Sequence, residues 1–170
     1  MTDSVVVDAS VAVKSVVNES FTLQAQQLLK DVSLAHQLIY APPHFLGESL
    51  NAIFQKFRST DPLKHISEEE LLEAVTKLLA FPFRVITPPN LYLEALQFVK
   101  AHQQVTLYDA MYVVLAQSLN LELWTADENL VSLVGSVAPW VRLISDYPLP
   151  EAVSASDQPE ETTSEEESAQ

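Results

Sequence analysis

Cysteine is absent from the chain, and glycine nearly so, with only Gly47 and Gly135 in 170 residues. The first absence excludes disulfides, zinc ribbons, thiolate clusters and a cysteine nucleophile, and it fits a reducing compartment. The second excludes nucleotide binding through Walker or dinucleotide loops, which need at least two glycines a few residues apart where backbone turns tightly against phosphate. Also missing is any apolar run approaching the roughly 20 residues of a membrane span. The amino end, Met1-Thr2-Asp3-Ser4, carries neither a basic segment nor a long apolar one. A cytoplasmic protein without a membrane segment is the expectation.

Bases are scarce as well. Nine Lys and Arg face 23 Asp and Glu, for a formal net charge of −14. Seven of those acids fall in residues 151–170, which hold no base and no aromatic, so the rest of the chain stands at −7. Such a balance argues against a protein that coats nucleic acid nonspecifically, because that binding relies on clustered Lys and Arg displacing counterions. It leaves open an enzyme acting on phosphodiesters, since a carboxylate metal site is itself acidic and bound cations reverse the local field. Residues 1–150 read as one domain with its own core. Residues 151–170 lack apolar periodicity and read as a disordered acidic tail. Its acids serve solubility, or compete with RNA for a metal cleft or for a basic partner.

What the chain does have is short β-branched or apolar runs separated by helical periodicity. Val5-Val6-Val7, Leu38-Ile39-Tyr40, Arg84-Val85-Ile86, Leu121 to Thr125 and Val141 to Ile144 read as five strands. Ser10 suits a cap for a helix after the first strand, and Phe21 to Asp31 carries a second helical stripe. Pro42-Pro43 precedes a helix with Phe45, Leu46, Leu50, Ile53, Phe54 and Phe57 on one stripe. Ser67-Glu68-Glu69-Glu70 is a capping box that opens a helix to about Leu79, ended by Pro82. Further helices follow Pro88-Pro89, Thr106 and Asp127. Strands alternating with helices describe an α/β domain with a mainly parallel sheet, and no internal repeat is present.

Four acids stand among apolar neighbours: Asp8 after three valines, Glu48 on the Phe45–Leu50 stripe, Asp109 between Tyr108 and Met111, and Asp127 after Leu123-Trp124-Thr125. In open α/β sheets ligands bind beyond the carboxyl ends of the strands, where chain order reverses. Asp8 and Asp127 sit at that kind of position, and Glu48 and Asp109, near the starts of their helices, can face the same cleft. Carboxylates gathered in a low-dielectric cleft repel one another unless a cation joins them. An all-oxygen shell favours Mg²⁺ or Mn²⁺ over zinc. The matching chemistry is phosphodiester hydrolysis, in which the cation acidifies a water and stabilises charge on phosphorus and the leaving oxygen.

The segments Val6-Val7-Asp8-Ala9-Ser10-Val11, a helix with Glu48, Leu107-Tyr108-Asp109-Ala110-Met111-Tyr112 and Leu123-Trp124-Thr125-Ala126-Asp127 together resemble the PIN domain, especially its VapC-type toxin branch. The resemblance covers Val5 to about Ile144. It implies a three-layer α/β/α sandwich with a mainly parallel five-stranded sheet, a magnesium- or manganese-dependent endoribonuclease, and a homodimer. It also implies that Asp8, Glu48, Asp109 and Asp127 are catalytic metal-site acids supported by the hydroxyls of Ser10 and Thr125. Membership of a toxin–antitoxin pair would add an antitoxin partner, whose arginine could silence the cleft.

Each residue also has a plainer reading. Asp8 and Asp127 suit helix caps, Asp109 a first-turn acid favoured by the dipole, Glu48 a solvated helix residue, Ser10 a cap and Thr125 a strand former. On that reading the protein is a catalytically inactive PIN-like RNA-binding or scaffold module. Lys14 reads as a solvated lysine or a phosphate contact, Asn129 as a hydrogen-bonding neighbour of Asp127, and Glu19 as part of a plain Asn18-Glu19-Ser20 turn outside the site. The four histidines show no ligand spacing, and Trp124 and Trp140 read as core residues. Phe54, Phe57 and Leu50 suit a partner surface or burial equally well. A phosphatase of the Asp-x-Asp type is excluded because position 10 is serine.

Overall fold

Apolar runs too short for helices form the sheet. In the computed structural model, which describes residues 3–150, the strands are β1 (Val5–Val7), β2 (Ile39–Ala41), β3 (Arg84–Val85), β4 (Glu122–Thr125) and β5 (Val141–Leu143). The acidic tail at 151–170 lies outside the described residues. Neighbouring strands are all parallel, in the order β3-β2-β1-β4-β5. The chain thus starts at the centre and builds outward on one side, then on the other. Val5, Val6 and Val7 are all buried. Since successive strand side chains point to opposite faces, both faces of the sheet are covered.

Two groups of helices do the covering. α1 (Ala9–Val16) packs with α2 (Thr22–Leu34), α3 (Phe45–Phe57) and α4 (Glu68–Ala80). α5 (Leu91–Ala101) packs along α6 (Leu107–Leu119), which lies on β1 and β4, and α7 (Glu128–Val134) lies against β5. This is the three-layer α/β/α sandwich. Every residue from Ala110 to Ala116 is buried, so α6 is gripped on all sides and holds its first turn, with Asp109, firmly in place. Among the described residues no helix is long and apolar enough to cross a membrane.

Local chemistry explains the helix starts. The Ser67 hydroxyl accepts from Glu70 N at 3.2 Å and the Glu70 carboxylate accepts from Ser67 N at 2.7 Å, so the capping box forms as expected. α1 is capped by Asp8 rather than by Ser10, because the first unpartnered N–H groups lie immediately after β1 and the Asp8 carboxylate reaches Ser10 N. α2 begins at Thr22, one residue later than its apolar stripe, since Phe21 adopts a left-handed conformation with φ 66°. Trp124 is buried, and Trp140 packs beside the core with its indole N–H donating to Val113 O at 3.1 Å. Leu50 and Phe57 pack against the core, which leaves Phe54 as the exposed member of that stripe.

Candidate functional site

The pairing of Val7 with Trp124 brings the residues that follow them, Asp8 and Thr125, side by side at the carboxyl ends of β1 and β4. Asp8 N donates to Trp124 O at 3.0 Å, extending the strand pair by one residue. At this switch point β2 lies to one side of β1 and β4 to the other, which opens the crevice expected of such sheets. Thr125 Oγ1 donates to Asp8 Oδ2 at 2.6 Å and accepts from Asp127 N at 3.1 Å. Ser10 N donates to Asp8 Oδ1 at 2.7 Å, and the Ser10 hydroxyl accepts from Ala126 N at 2.9 Å. Both hydroxyls therefore brace the loop that leaves β4.

Asp8 is only 7% exposed. Burial raises its carboxyl pKa above the ordinary value; the bonds from Thr125 and Ser10 pull it down, and the Asp109 charge raises it again. Glu48, in the first turn of α3, is likewise raised by burial and by the charges of Asp8 and Asp109, against a 2.8 Å bond from the Tyr112 hydroxyl. Asp109, in the first turn of α6, accepts from the Thr106 hydroxyl at 2.6 Å. Asp8 and Glu48 thus each lean toward the protonated form, chiefly because they are buried and further because of the Asp109 charge nearby.

Asp127 is placed differently. Its Oδ1 accepts from Asn129 N at 2.8 Å and from Leu130 N at 3.1 Å, capping α7. It also borders a cavity of about 500 Å³ together with Ser10, Lys14, Glu19, Lys56 and Asn129. Asn129 meets Asp127 through its backbone rather than its side chain. Asp127→Ala is expected to lower stability by about 1 kcal/mol in urea unfolding through the lost cap, whereas Asp127→Asn keeps the cap and the stability.

Three residues missed as site members in the sequence buttress the acids. Tyr112 donates to Glu48, and burial together with the Asp8 and Glu48 charges pushes its phenol far above the ordinary value, so it remains a donor. Thr106 caps α6 and orients Asp109. His44 packs its ring on Tyr108 and Tyr112, with centroids 5.0 and 4.9 Å away. Burial lowers the His44 pKa, and at 3.6 Å its Nε2 is beyond hydrogen-bond reach of Glu48, so the ring is a neutral packing element rather than an ionic partner. The i,i+3 spacing of Asp109 with Tyr112 and of Thr106 with Asp109 was the available signal. Glu19, read as a turn residue, pairs instead with both Lys14 and Lys56.

Among the described residues no three His, Asp or Glu side chains stand close enough to enclose an ion by themselves. The donor set nonetheless fits a hard divalent cation. The buried carboxylates of Asp8 and Glu48, with their raised pKa values, are relieved by positive charge, and Mg²⁺ keeps several of its own waters.

Two of the solved structures that share the fold illustrate it. PAE2754 from Pyrobaculum aerophilum is 21% identical, with 85% of this chain and 93% of that one covered at a TM-score of 0.55. VapC20 of Mycobacterium tuberculosis, a sarcin-ricin-loop-cleaving toxin, is 15% identical, with 75% of this chain and 93% of that one covered at a TM-score of 0.55. No curated protein matches the chain. The PIN domain profile matches residues 5–135, a span that runs from β1 past the end of α7 and takes in all four acids, and the chain therefore belongs to the PIN domain family.

Proposed function

We propose that this protein is a metal-dependent endoribonuclease that hydrolyses RNA phosphodiester bonds, and that it is the toxin of a type II toxin–antitoxin pair. The observation that carries the reading is the placement of Asp8 and Glu48 in the crevice at the switch point of the sheet, where burial first and the Asp109 charge second raise both carboxyl pKa values, a cost that a divalent cation relieves. Asp8, Glu48 and Asp109 would hold Mg²⁺ or Mn²⁺, with Asp127 joining through the carboxylate oxygen not engaged by α7. Bound there, the cation supplies Lewis acidity to water and to the attacked phosphodiester. Thr125 and Ser10 fix the Asp8 carboxylate, Tyr112 fixes Glu48, and Thr106 fixes Asp109, so the acids meet the substrate already oriented. No side-chain nucleophile is required.

The test is cleavage of single-stranded and structured RNA, the sarcin–ricin loop included, by the purified full chain with Mg²⁺, with Mn²⁺ or in EDTA. Cleavage with either cation and none in EDTA is expected; intact RNA under all three conditions overturns the reading. A second reading, an inactive RNA-binding or scaffold module, draws on Asp8 and Asp127 both capping helices. It predicts RNA binding without cleavage. Homodimerisation, a cytoplasmic location and an antitoxin that inserts an arginine among the carboxylates complete the proposal, on the strength of the VapC-like motifs. Light scattering and the sequence of the neighbouring reading frame test the dimer and the antitoxin.

A further inference from the structure

Four of the six lysines in this acidic chain line adjoining cavities, the smaller of which is bordered by Ser10 and Asp127 at the margin of the acid site. Lys14 of α1 and Lys56 of α3 share with Glu19 the wall of the cavity bordered by Ser10 and Asp127. The same three residues line a larger cavity of about 830 Å³, where Lys64, His65 and Lys77 join them. Glu70 and Glu73 line the larger cavity and Glu128 the smaller one as well, so the lysines there can serve a phosphate only where their acidic neighbours yield. We propose that these cavities form the track along which bound RNA runs from the acid site, and that Lys14 and Lys56 take an RNA phosphate in the place Glu19 now holds.

The present partners suit exchange. Glu19 bridges the Lys14 and Lys56 ammoniums, the Lys14 contact being 3.3 Å, and a bridging carboxylate presents to them the charge and oxygens that a phosphate would. Swinging one side chain away frees both cations together, and an arriving phosphate restores both interactions. Lys64 meets Asp61 at 3.8 Å and Lys77 meets Glu73 at 2.6 Å, and all four of these side chains are well exposed. Exposed pairs of this kind are weak, so phosphates displace the acids at little cost. Glu19 thereby acts as an internal counter-anion that keeps the lysines paired until RNA arrives.

The ligand class rests on the nuclease reading, but the test needs no catalysis. Binding of a labelled single-stranded RNA to the Asp8→Asn protein is followed by anisotropy in EDTA across salt concentrations. Lys14→Gln and Lys56→Gln are each expected to weaken binding roughly tenfold and to reduce the salt slope by about 0.7 for each phosphate that is no longer neutralised. Lys64→Gln with Lys77→Gln acts in the same direction, while Lys30→Gln and Lys100→Gln, outside these cavities, leave binding unchanged. Glu19→Gln is expected to tighten binding roughly threefold to tenfold, a gain that a misfolded variant cannot give. RNA affinity that is unmoved by the Lys14, Lys56, Lys64 and Lys77 changes, in a protein whose wild type cleaves RNA, overturns the track and leaves the nuclease standing. Weakened affinity in those variants, with a wild type that cuts no RNA, removes the nuclease and keeps the track.

Discussion

Asp8→Asn lowers the cleavage rate by at least about a hundredfold, the scale on which loss of one preorganised electrostatic group acts, while leaving the fold as stable as before or more so. The two effects separate because Asp8 has two tasks. As the cap of α1 it needs only an acceptor for Ser10 N, and asparagine is an equally good capping residue. In its proposed role as a metal-site acid it needs its charge, which the amide lacks. The charge is costly in the metal-free protein. Burial raises the Asp8 pKa above 3.8, so the folded state holds the proton more tightly than the unfolded chain does. Its contribution to stability is complete below that value and is lost as pH rises through the higher folded value. The melting temperature of Asp8→Asn should therefore gain on that of the wild type as pH rises above about 4 and through the raised folded-state value. Added Mg²⁺ or Mn²⁺ should narrow the gap by binding the ionised wild type, and EDTA should restore it. Single-turnover RNA cleavage and thermal melts across pH measure both effects; a variant that cuts RNA at the wild-type rate takes Asp8 out of the chemistry.

Thr125→Val has the second large effect, and it falls on stability and site together. Thr125 is fully buried, and its one hydroxyl donates to Asp8 Oδ2 while accepting from Asp127 N. Valine matches its shape and leaves a buried carboxylate oxygen and a backbone N–H without those partners, a loss of about 1–3 kcal/mol. The Thr125 bond is also the strongest influence holding the Asp8 pKa down. Its removal raises that pKa further, weakens cation binding and slows cleavage by roughly 10- to 100-fold, as loss of a group orienting a metal ligand does. Thr125→Ser keeps the hydroxyl and should recover most of both. Urea unfolding and calorimetric Mn²⁺ titration are the measurements. Equal midpoints and equal Mn²⁺ affinities for the valine and wild-type proteins would contradict this account.

Much of the scaffold was legible because it rests on local patterns. Val5-Val6-Val7 followed by Asp8, and Leu123-Trp124-Thr125 before Asp127, announce strand ends with acids just beyond them, and the Ser67–Glu70 box announces its helix. The five runs read as strands all pair into one parallel sheet. What escaped was set by partners distant in the chain. Thr125 was legible as a supporting hydroxyl by family resemblance, but which acid it meets follows only once β1 and β4 pair in register and bring Asp8 beside it. Glu19 looks like a turn residue because Lys56, which completes its bridge, lies 37 positions away. Ser10 was legible as a cap or a supporting hydroxyl, but its actual partner, the backbone N–H of Ala126, lies 116 positions away, and Asp8 takes the cap. Tyr112 carries an apolar ring into the core and its hydroxyl to Glu48, so periodicity reports only the first of these.

The bond between Asp8 and Thr125 joins residues 117 positions apart. During synthesis, β1 and its acid leave the ribosome early, but the strand that orients that acid emerges only with the last third of the 1–150 segment. A nascent chain halted before α6 carries Asp8 and Glu48 without the Thr125 hydroxyl that positions the first or the Tyr112 hydroxyl that positions the second. Long-range closure of this kind is slow relative to local helix formation. If the protein cuts RNA as proposed, the message it is being read from is thus spared until translation is nearly done.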